Sequence, residues 1–241
     1  MGILKKYEFT GKTKVITRFN ESHTLHQIKA LKDFGDIKAG YLGGWIEKEG
    51  NLSQEGDCWV YSKARVFGNA KVYENALIYD YAMVYGNAKV YGNARVYGKA
   101  SIGGTAKVYG KARVLDDAHV YGNAQVLDDA VVRDTAKVYD DAEVYDGALI
   151  RGTAEVYGNA QVYDDAFIRD AAQVYGKASV RGTAQVFDNA QVSDDAQVYD
   201  NAQVYGDAEV CDEATVRGNA IVTNNAVVSG KVEIFDDCHT I

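Results

Sequence analysis

Proline is absent from this 241-residue chain, and only 3 cysteines and 4 histidines are present. Because proline lacks a backbone N–H donor, its absence leaves every strand able to pair on both sides. So few cysteines form no dense disulfide framework, which is typical of a reducing compartment. No apolar run is long enough to cross a bilayer and none resembles a signal peptide, so we expect a cytoplasmic protein with no membrane partner.

A hexad repeat dominates what is present. From Ala64 to Ala226 every sixth residue is alanine, 28 times in succession, and valine or isoleucine follows two positions later. The hexad reads Ala-x-Val-Tyr-Gly/Asp-Asn/Asp. Alternation over its first four places predicts a short strand with Ala and Val inside and x and Tyr outside. The last two places predict a corner at which one residue adopts the left-handed conformation.

Three such hexads close a triangular coil of 18 residues. The predicted fold class is therefore an all-β solenoid, a single-stranded parallel β-helix of about ten coils over residues 57–241. Cys58 and Cys238 share the inward phase, but at about 4.8 Å per coil they lie about 48 Å apart and cannot bridge. Cys211 points outward without a partner.

The first 56 residues predict a small α+β cap that covers the open sheet edges at the start of the solenoid. Tyr7–Phe19 indicates a β-hairpin that turns at Gly11. A helix is predicted, with Ser22 and Thr24 as N-caps and Gly35 as its end, from apolar residues at helical spacing: Leu25, Ile28, Leu31 and Phe34. A glycine-rich loop at residues 39–45 then leads into the first coil.

Charge is distributed unevenly along the chain, whose net charge is −8. Residues 59–113 carry 9 basic and 2 acidic groups, whereas residues 114–241 carry 8 basic and 24 acidic groups. This polarity favours either head-to-tail contacts or capture of an anion by the basic segment, and it also serves solubility.

Residues 26–53, HQIKALKDFGDIKAGYLGGWIEKEGNLS, are followed directly by the hexads, and together they resemble the YdcK-like hexapeptide-repeat proteins, which also occur in phage. The resemblance covers nearly the whole chain. It implies a left-handed parallel β-helix related to trimeric hexapeptide-repeat acyltransferases, and hence a threefold assembly. Those enzymes typically use a histidine as general base beneath a loop that breaks the repeat.

The candidate that this resemblance offers is His119, at an outward x place. No loop breaks the repeat near it, so we expect nothing there to hold an acyl donor and assign no catalytic residue. We also expect no metal and no cofactor. A zinc site of the carbonic-anhydrase kind needs three histidines, and His23 and His26 have no third partner. Corner geometry explains the Asp-Asp pairs without calcium.

Columns of outward residues, read at every 18th position, supply the binding candidates. Phosphate groups suit stacked cations, and tyrosine faces suit nucleobases. The predicted ligand-binding residues are Arg133, Arg151 and Arg169 in one column and Lys71, Lys89 and Lys107 in another. The predicted interface is a column of tyrosines: Tyr121, Tyr139, Tyr157 and Tyr175. Stacked tyrosines and corner acids also account for these columns as purely structural ladders.

Three functions remain open from the sequence. The first is a non-catalytic β-helical binding or scaffold protein that self-associates, as a trimer or an end-to-end dimer, and sequesters an anionic, nucleotide-like small molecule. The second is an acyltransferase with His119 at a subunit boundary. The third is an acidic nucleic-acid mimic that inhibits a DNA-binding partner, while direct binding of nucleic acid is not expected.

Overall fold

The computed structural model describes residues 5–235 and the backbone of residues 239–240; Cys238 lies outside the described residues. Each hexad contributes a two-residue strand, and each strand pairs in parallel with the strands one coil before and after it. His119, for example, lies in register with Ser101 and with Lys137. The strands form three sheets of 13, 11 and 10 strands. The predicted three-sided prism with an 18-residue coil is confirmed, and the hand of the coil stays a prediction.

We name the sheets wall A, wall B and wall C. Wall A begins with β1 (Tyr7–Arg18), β2 (Glu21–Ala30) and β3 (Leu42–Ile46). It continues with Arg65–Val66, Met83–Val84, Ser101–Ile102, His119–Val120, Lys137–Val138, Glu155–Val156, Gln173–Val174, Gln191–Val192, Glu209–Val210 and Val227–Val228.

Walls B and C consist of parallel two-residue strands alone. Wall B contains Trp59–Val60, Leu77–Ile78, Arg95–Val96, Arg113–Val114, Val131–Val132, Leu149–Ile150, Phe167–Ile168, Gln185–Val186, Gln203–Val204, Ile221–Val222 and His239–Thr240. Wall C contains Lys71–Val72, Lys89–Val90, Lys107–Val108, Gln125–Val126, Glu143–Val144, Gln161–Val162, Ser179–Val180, Gln197–Val198, Thr215–Val216 and Glu233–Ile234.

The interior of the prism is filled by the alanine and valine places of the hexad. From Ala64 to Val222 these residues are fully buried, whereas nearly all x and Tyr places are half-buried or exposed. At most corners the alanine N–H donates to the carbonyl three residues earlier, as from Ala118 to Leu115 at 3.2 Å. N–H groups of the x and Tyr places donate to the next coil, so the backbone ladder runs along the whole shaft.

The fifth place of the hexad holds the left-handed residue that the sequence predicts. It is glycine or an acid at nearly every corner, with φ of +67° at Gly122 and +61° at Asp134. Glycine has no Cβ penalty there, and aspartate is among the few other residues that tolerate this region. The corner prediction is therefore confirmed.

The predicted N-terminal helix is wrong, because residues Glu21–Ala30 form strand β2. Leu25 and Ile28 are both fully buried although they are three residues apart. Residues three apart on a strand face opposite sides, so β2 is buried on both faces, and of the two only Ile28 belongs to the core that continues into the prism. A strand buried on both faces thus imitates helical spacing in the sequence.

The predicted turn at Gly11 is also wrong. β1 runs continuously from Tyr7 to Arg18, and its register with β2 shifts between Phe9 and Thr13. The chain instead turns at Phe19 and Asn20, whose φ angles are +51° and +63°. Two consecutive positive φ angles make the tight turn that suits the twist of an antiparallel hairpin.

Parallel pairing begins before the predicted domain boundary, which itself stays a prediction. Trp45 and Ile46 of β3 pair with Arg65 and Val66, and a 3₁₀ turn at Glu49–Asn51 follows. Glycine is needed in β3 because a Cβ at Gly43 would lie 2.6 Å from the Trp59 ring. Among the described residues, no helix combines the length and the apolar character that crossing a bilayer requires.

A buried lysine closes the first coil. The Lys6 ammonium donates to the carbonyls of Glu55, Gly56 and Cys58 at 3.0 to 3.2 Å and contacts the Cys58 thiol. Burial lowers the pKa of Lys6 and raises the pKa of Cys58. These carbonyls have no earlier coil to accept from, so the lysine supplies donors that the ladder lacks at this end.

Candidate functional site

The tyrosine ladders are continuous ring stacks on the outside of the prism. On wall A, Tyr121, Tyr139, Tyr157 and Tyr175 stack with centroids 4.9 Å apart and ring planes within 4° of parallel. The hydroxyls of the last three contact Glu155, Gln173 and Gln191 of the following coils. Because each inner ring has both faces covered, a nucleobase cannot stack there. The interface role predicted for this column stays a prediction. A partner could contact the edges of these rings but not the faces of the inner ones.

The predicted arginine column lies on wall B, where the guanidinium groups of Arg151 and Arg169 contact aromatic rings. The Arg151 guanidinium lies 5.1 Å from the Phe167 ring centroid, and that of Arg169 lies 3.8 Å from the Phe187 centroid. Arg169 also forms an ion pair with Asp170. Arg133 keeps a buried Nε without a hydrogen-bond partner. Cation–π contacts and the acid thus compensate much of the repulsion expected between stacked arginines.

The lysine column is arranged differently. Lys71, Lys89 and Lys107 lie in register on wall C. Across the corner, Arg95 and Arg113 lie in register on wall B, and Lys111 lies between the two walls. We call these residues the cationic edge: Lys71, Lys89, Arg95, Lys107, Lys111 and Arg113.

Few acids balance the cationic edge. Within the part of the chain that the structure describes, none of Lys71, Lys89, Lys107, Arg95 and Arg113 forms an ion pair within 4 Å, and Lys111 lies 3.7 Å from Asp129. Glu74, an acid at the same corner, accepts the N–H of Gly92 instead. Five of the six cations of the edge are therefore without an ion-pair partner among the described residues, and only Lys111 has one.

The structure does not bring the two predicted ligand columns together, because they lie on different walls and in different coils. It adds Arg95, Lys111 and Arg113 to the lysines, residues that the column reading missed. Their signal is present in the sequence: Lys107, Lys111 and Arg113 follow one another around one corner. Comparing only residues 18 positions apart did not reveal this cluster, because its members lie on both sides of a corner.

A groove lies beside His119, and the expectation that nothing there holds an acyl donor stays a prediction. We call residues 13–25 the arm. It lies along the outside of the parallel strands of wall A, with the His23 and Phe67 ring centroids 4.8 Å apart and those of Phe19 and Tyr85 5.4 Å apart. The turn of the arm lines a groove together with the wall, and the lining residues are Arg18, Phe19, Tyr85, Gly104, His119, Tyr121 and Gly122.

His119 is half-buried in this groove. Burial lowers its pKa, and the positive charges of Lys137 and Arg18 lower it further. A lowered pKa keeps the imidazole neutral near pH 7, which is the form that accepts a proton. The sequence missed Arg18 and Phe19 because about 100 residues separate them from His119.

The corner acids have structural partners. The Asp134 carboxylate accepts the N–H of Gly152 at 3.0 Å, one coil further on, and Asp164 and Asp200 do the same for Gly182 and Gly218. Within the described part of the chain these N–H groups have no backbone acceptor, so the acids replace the ladder at the corners.

Side-chain atoms of Asp194, Cys211 and Asp212 that could bind a metal ion lie within 4.8 Å of one another. The Asp194 carboxylate already accepts hydrogen bonds from the Ser193 hydroxyl and the Asp212 N–H.

Comparison with known proteins agrees with this architecture. Residues 88–104 match the YdcK beta solenoid repeat family. An Escherichia coli protein described as "Uncharacterized acetyltransferase YdcK" is 38% identical over 65 residues. The repeats of this chain are similar to those of the YdcK beta solenoid family.

The similarity of this YdcK-like chain to the Escherichia coli protein is limited in extent. The match covers 25% of this chain and 20% of that protein's own length. It therefore relates only part of this chain to a smaller part of that protein. What the Escherichia coli protein does as a whole is not carried over by this match.

Proposed function

We propose that this YdcK-like solenoid is a non-catalytic binding protein that holds an anionic ligand on the cationic edge. The observation that carries the proposal is the register of Lys71, Lys89 and Lys107, and of Arg95 and Arg113, with no acid of the described residues within ion-pair distance of these five. Side chains one coil apart follow the 4.8 Å spacing of the Tyr73 and Tyr91 rings on the same wall. At that separation two unit charges repel by about 1 kcal/mol even in bulk water. A bound anion offsets that repulsion.

The chemistry of the edge favours oxyanions carried on phosphate. Arginine presents a planar fork to phosphate oxygens, and lysine adds mobile point charges around it. Tyr73, Tyr91 and Tyr109 stack on each other beside the lysines, so the inner ring face is covered. A nucleotide-like ligand would therefore be held through its phosphates, and its base would contribute little.

Titration calorimetry with inorganic triphosphate and with ATP tests this proposal. We expect both to bind at low ionic strength with similar affinity, and we expect Lys89→Gln/Lys107→Gln/Arg113→Gln to weaken binding at least tenfold. The matched control is Lys99→Gln/Lys177→Gln, which removes two lysines that already face Asp117 and Asp195. Equal affinity of the edge variant and the unmodified protein would refute the proposal.

A second candidate function is acyl transfer at His119, and the groove under the arm is the observation that favours it. The Escherichia coli relative is described as an acetyltransferase, which supports this type of reaction, but the match assigns no residue to it. In this function neutral His119 would take a proton from the acceptor group, and Arg18 would attract the phosphates of an acyl donor. Acetyl-coenzyme A turnover that persists in the cationic-edge variant and is lost in His119→Gln would support this function over the first.

A further inference from the structure

We propose that the anion held by the cationic edge is the acidic half of the same edge on a second copy of the chain, so that two solenoids lie side by side and antiparallel. This inference rests on the proposed function, because it names the partner of the cationic edge. It is an inference about self-association through the corner between walls C and B, and it does not involve the tyrosine column of wall A.

The same corner changes sign as it passes along the shaft. The three coils after the cationic edge carry at this corner a matching set of acids, which we call the acidic edge: Asp128, Asp129, Glu143, Asp146, Asp164 and Asp165. All of them are exposed except Glu143, which is half-buried between the amides of Gln125 and Gln161. Three coils of cations are thus followed directly by three coils of acids on one edge of the prism.

This arrangement is self-complementary about a twofold axis. If the axis crosses the corner between the coils of Lys111 and Asp129, each cationic coil of one copy faces an acidic coil of the other. Arg113 then lies opposite the coil of Asp129, Lys89 opposite that of Glu143, and Lys71 opposite that of Asp165. Each of these three contacts is made twice, which is the property of an isologous interface.

The regular rise of the coil keeps the two copies in step. Ring centroids repeat at 4.8 Å on wall C in both the cationic and the acidic segments. Two antiparallel copies of one repeat therefore meet coil for coil over six coils without losing register. A small anion neutralises one cationic site, whereas the acidic edge of a second copy supplies as many charges as the cationic edge carries, at the same spacing.

An apolar row beside the acidic edge adds contact area. Val131, Leu149 and Phe167 occupy the x places of wall B in the acidic coils and are half-buried in the single chain. Leu77 occupies the x place opposite Phe167 in the antiparallel arrangement. The interface would thus combine charge pairing with one apolar contact, between Phe167 and Leu77, since Val131 and Leu149 lie opposite the coils of Arg113 and Arg95.

A charge-swap experiment tests the pairing. The first variant is Lys71→Glu/Lys89→Glu/Arg113→Glu, and the second is Asp129→Lys/Glu143→Lys/Asp165→Lys. Each new residue type already occupies the same hexad place elsewhere: glutamate at x in Glu155 and Glu209, lysine at x in Lys137, and lysine at the sixth place in Lys99 and Lys177. Circular dichroism and thermal melting of each variant check that the fold is kept.

Native mass spectrometry and light scattering at 50 mM and 500 mM salt give the readout. We expect a dimer of the unmodified protein at low salt that dissociates at least tenfold more readily at high salt, since the Debye length shortens. Each variant alone should be monomeric, and an equimolar mixture of the two should form a mixed dimer. Only pairing of opposite edges restores association in the mixture.

Other results overturn the inference and separate it from the proposed function. Dimers that persist in either variant alone, or a trimer that ignores salt, would place self-association elsewhere, for example on the tyrosine column. A monomer that binds triphosphate would refute the acidic partner and leave the proposed function intact. A monomer that binds neither would refute both, and co-purified nucleic acid on a monomeric protein would assign the edge to that polymer instead.

Discussion

At the residue scale, the aspartates of the corners perform two tasks at one position. Asp134 adopts a φ of +61°, which most side chains avoid, and its carboxylate accepts the corner N–H of the next coil. Its own N–H contacts the Asp116 carboxylate of the preceding coil at 3.3 Å. The acidic composition of the second half of the chain is therefore partly a consequence of how the corners are hydrogen-bonded.

We predict that Asp134→Ala lowers the free energy of unfolding by about 2 kcal/mol, because it removes an acceptor and places a Cβ without compensation in the left-handed region. Asp134→Asn keeps both an acceptor and a tolerance for this conformation, so it should cost less than about 1 kcal/mol. Urea unfolding followed by circular dichroism measures both. Equal stability of the alanine variant and the unmodified protein would show that the corner bond contributes nothing.

His119 supplies a prediction for pH. Its pKa in the folded protein is lowered by burial, by Lys137 and by Arg18, whereas in the unfolded chain it is about 6.5. As the pH falls through 6.5, the unfolded state binds the proton first, so this group makes the folded state less stable until its own lower pKa is passed. NMR titration should show His119 titrating below 6.5, and Lys137→Met should raise its pKa. Lys71→Met, on another wall, serves as the control and should leave it unchanged.

At the element scale, the stacked columns link strands that are only two residues long. Each strand contributes one outward ring or chain per column, and Tyr139 contacts Tyr121 on one side and Tyr157 on the other. Tyr109 has a ring neighbour on one side, Tyr91, and Leu127 occupies its column on the other. The ladder therefore differs in strength along its length.

We predict that Tyr139→Leu costs about 2 kcal/mol and Tyr109→Leu about half as much, because an aromatic pair contributes about 0.5–1.5 kcal/mol beyond its buried area. Leucine is a fair replacement, since Leu115 and Leu127 occupy the same hexad place. Chemical denaturation of the two variants gives the comparison. Equal losses would mean that burial and not ring stacking stabilises the column.

At the scale of the whole molecule, the solenoid is a stack of equivalent coils in which each coil contacts its neighbours. The pairing partners of the shaft strands lie 18 residues away in sequence, as Val131 pairs with Arg113 and Leu149, except where Arg65 pairs with Trp45 at the start of the shaft. The fold therefore tolerates a change in the number of coils but not a shift of the hexad phase. A change that preserves the 18-residue period leaves each column on its wall.

We predict that deleting residues 160–177 yields a folded protein that is shorter by one coil rise of about 4.8 Å and melts within about 5 °C of the unmodified protein. Deleting residues 160–162 exchanges the inward and outward phases beyond the deletion and should abolish cooperative melting. Thermal melting and small-angle X-ray scattering distinguish the two. Unfolding of the longer deletion would show that the coils are not interchangeable.

Much of the shaft was predictable because its contacts are set by a local repeat. Alternation of Ala and Val decides what faces inward, and Gly or Asp at the fifth place decides where the chain turns. The N-terminal segment was not predictable in the same way. There the burial of Leu25 and Ile28, three residues apart on strand β2, imitated a helix, and that burial depends on the segments packed against both faces of the strand and not on a local repeat.

The uninterrupted period is enough to predict the three-sided coil, the walls and the columns from the amino-acid sequence. Three features became visible only in the folded chain: the arm lies against wall A beside His119, arginines stack on phenylalanines, and Lys111 and Arg113 join the lysines across a corner. A repeat fixes the phase of neighbouring coils, whereas contacts between the arm and the shaft depend on where a non-repeating segment ends in space.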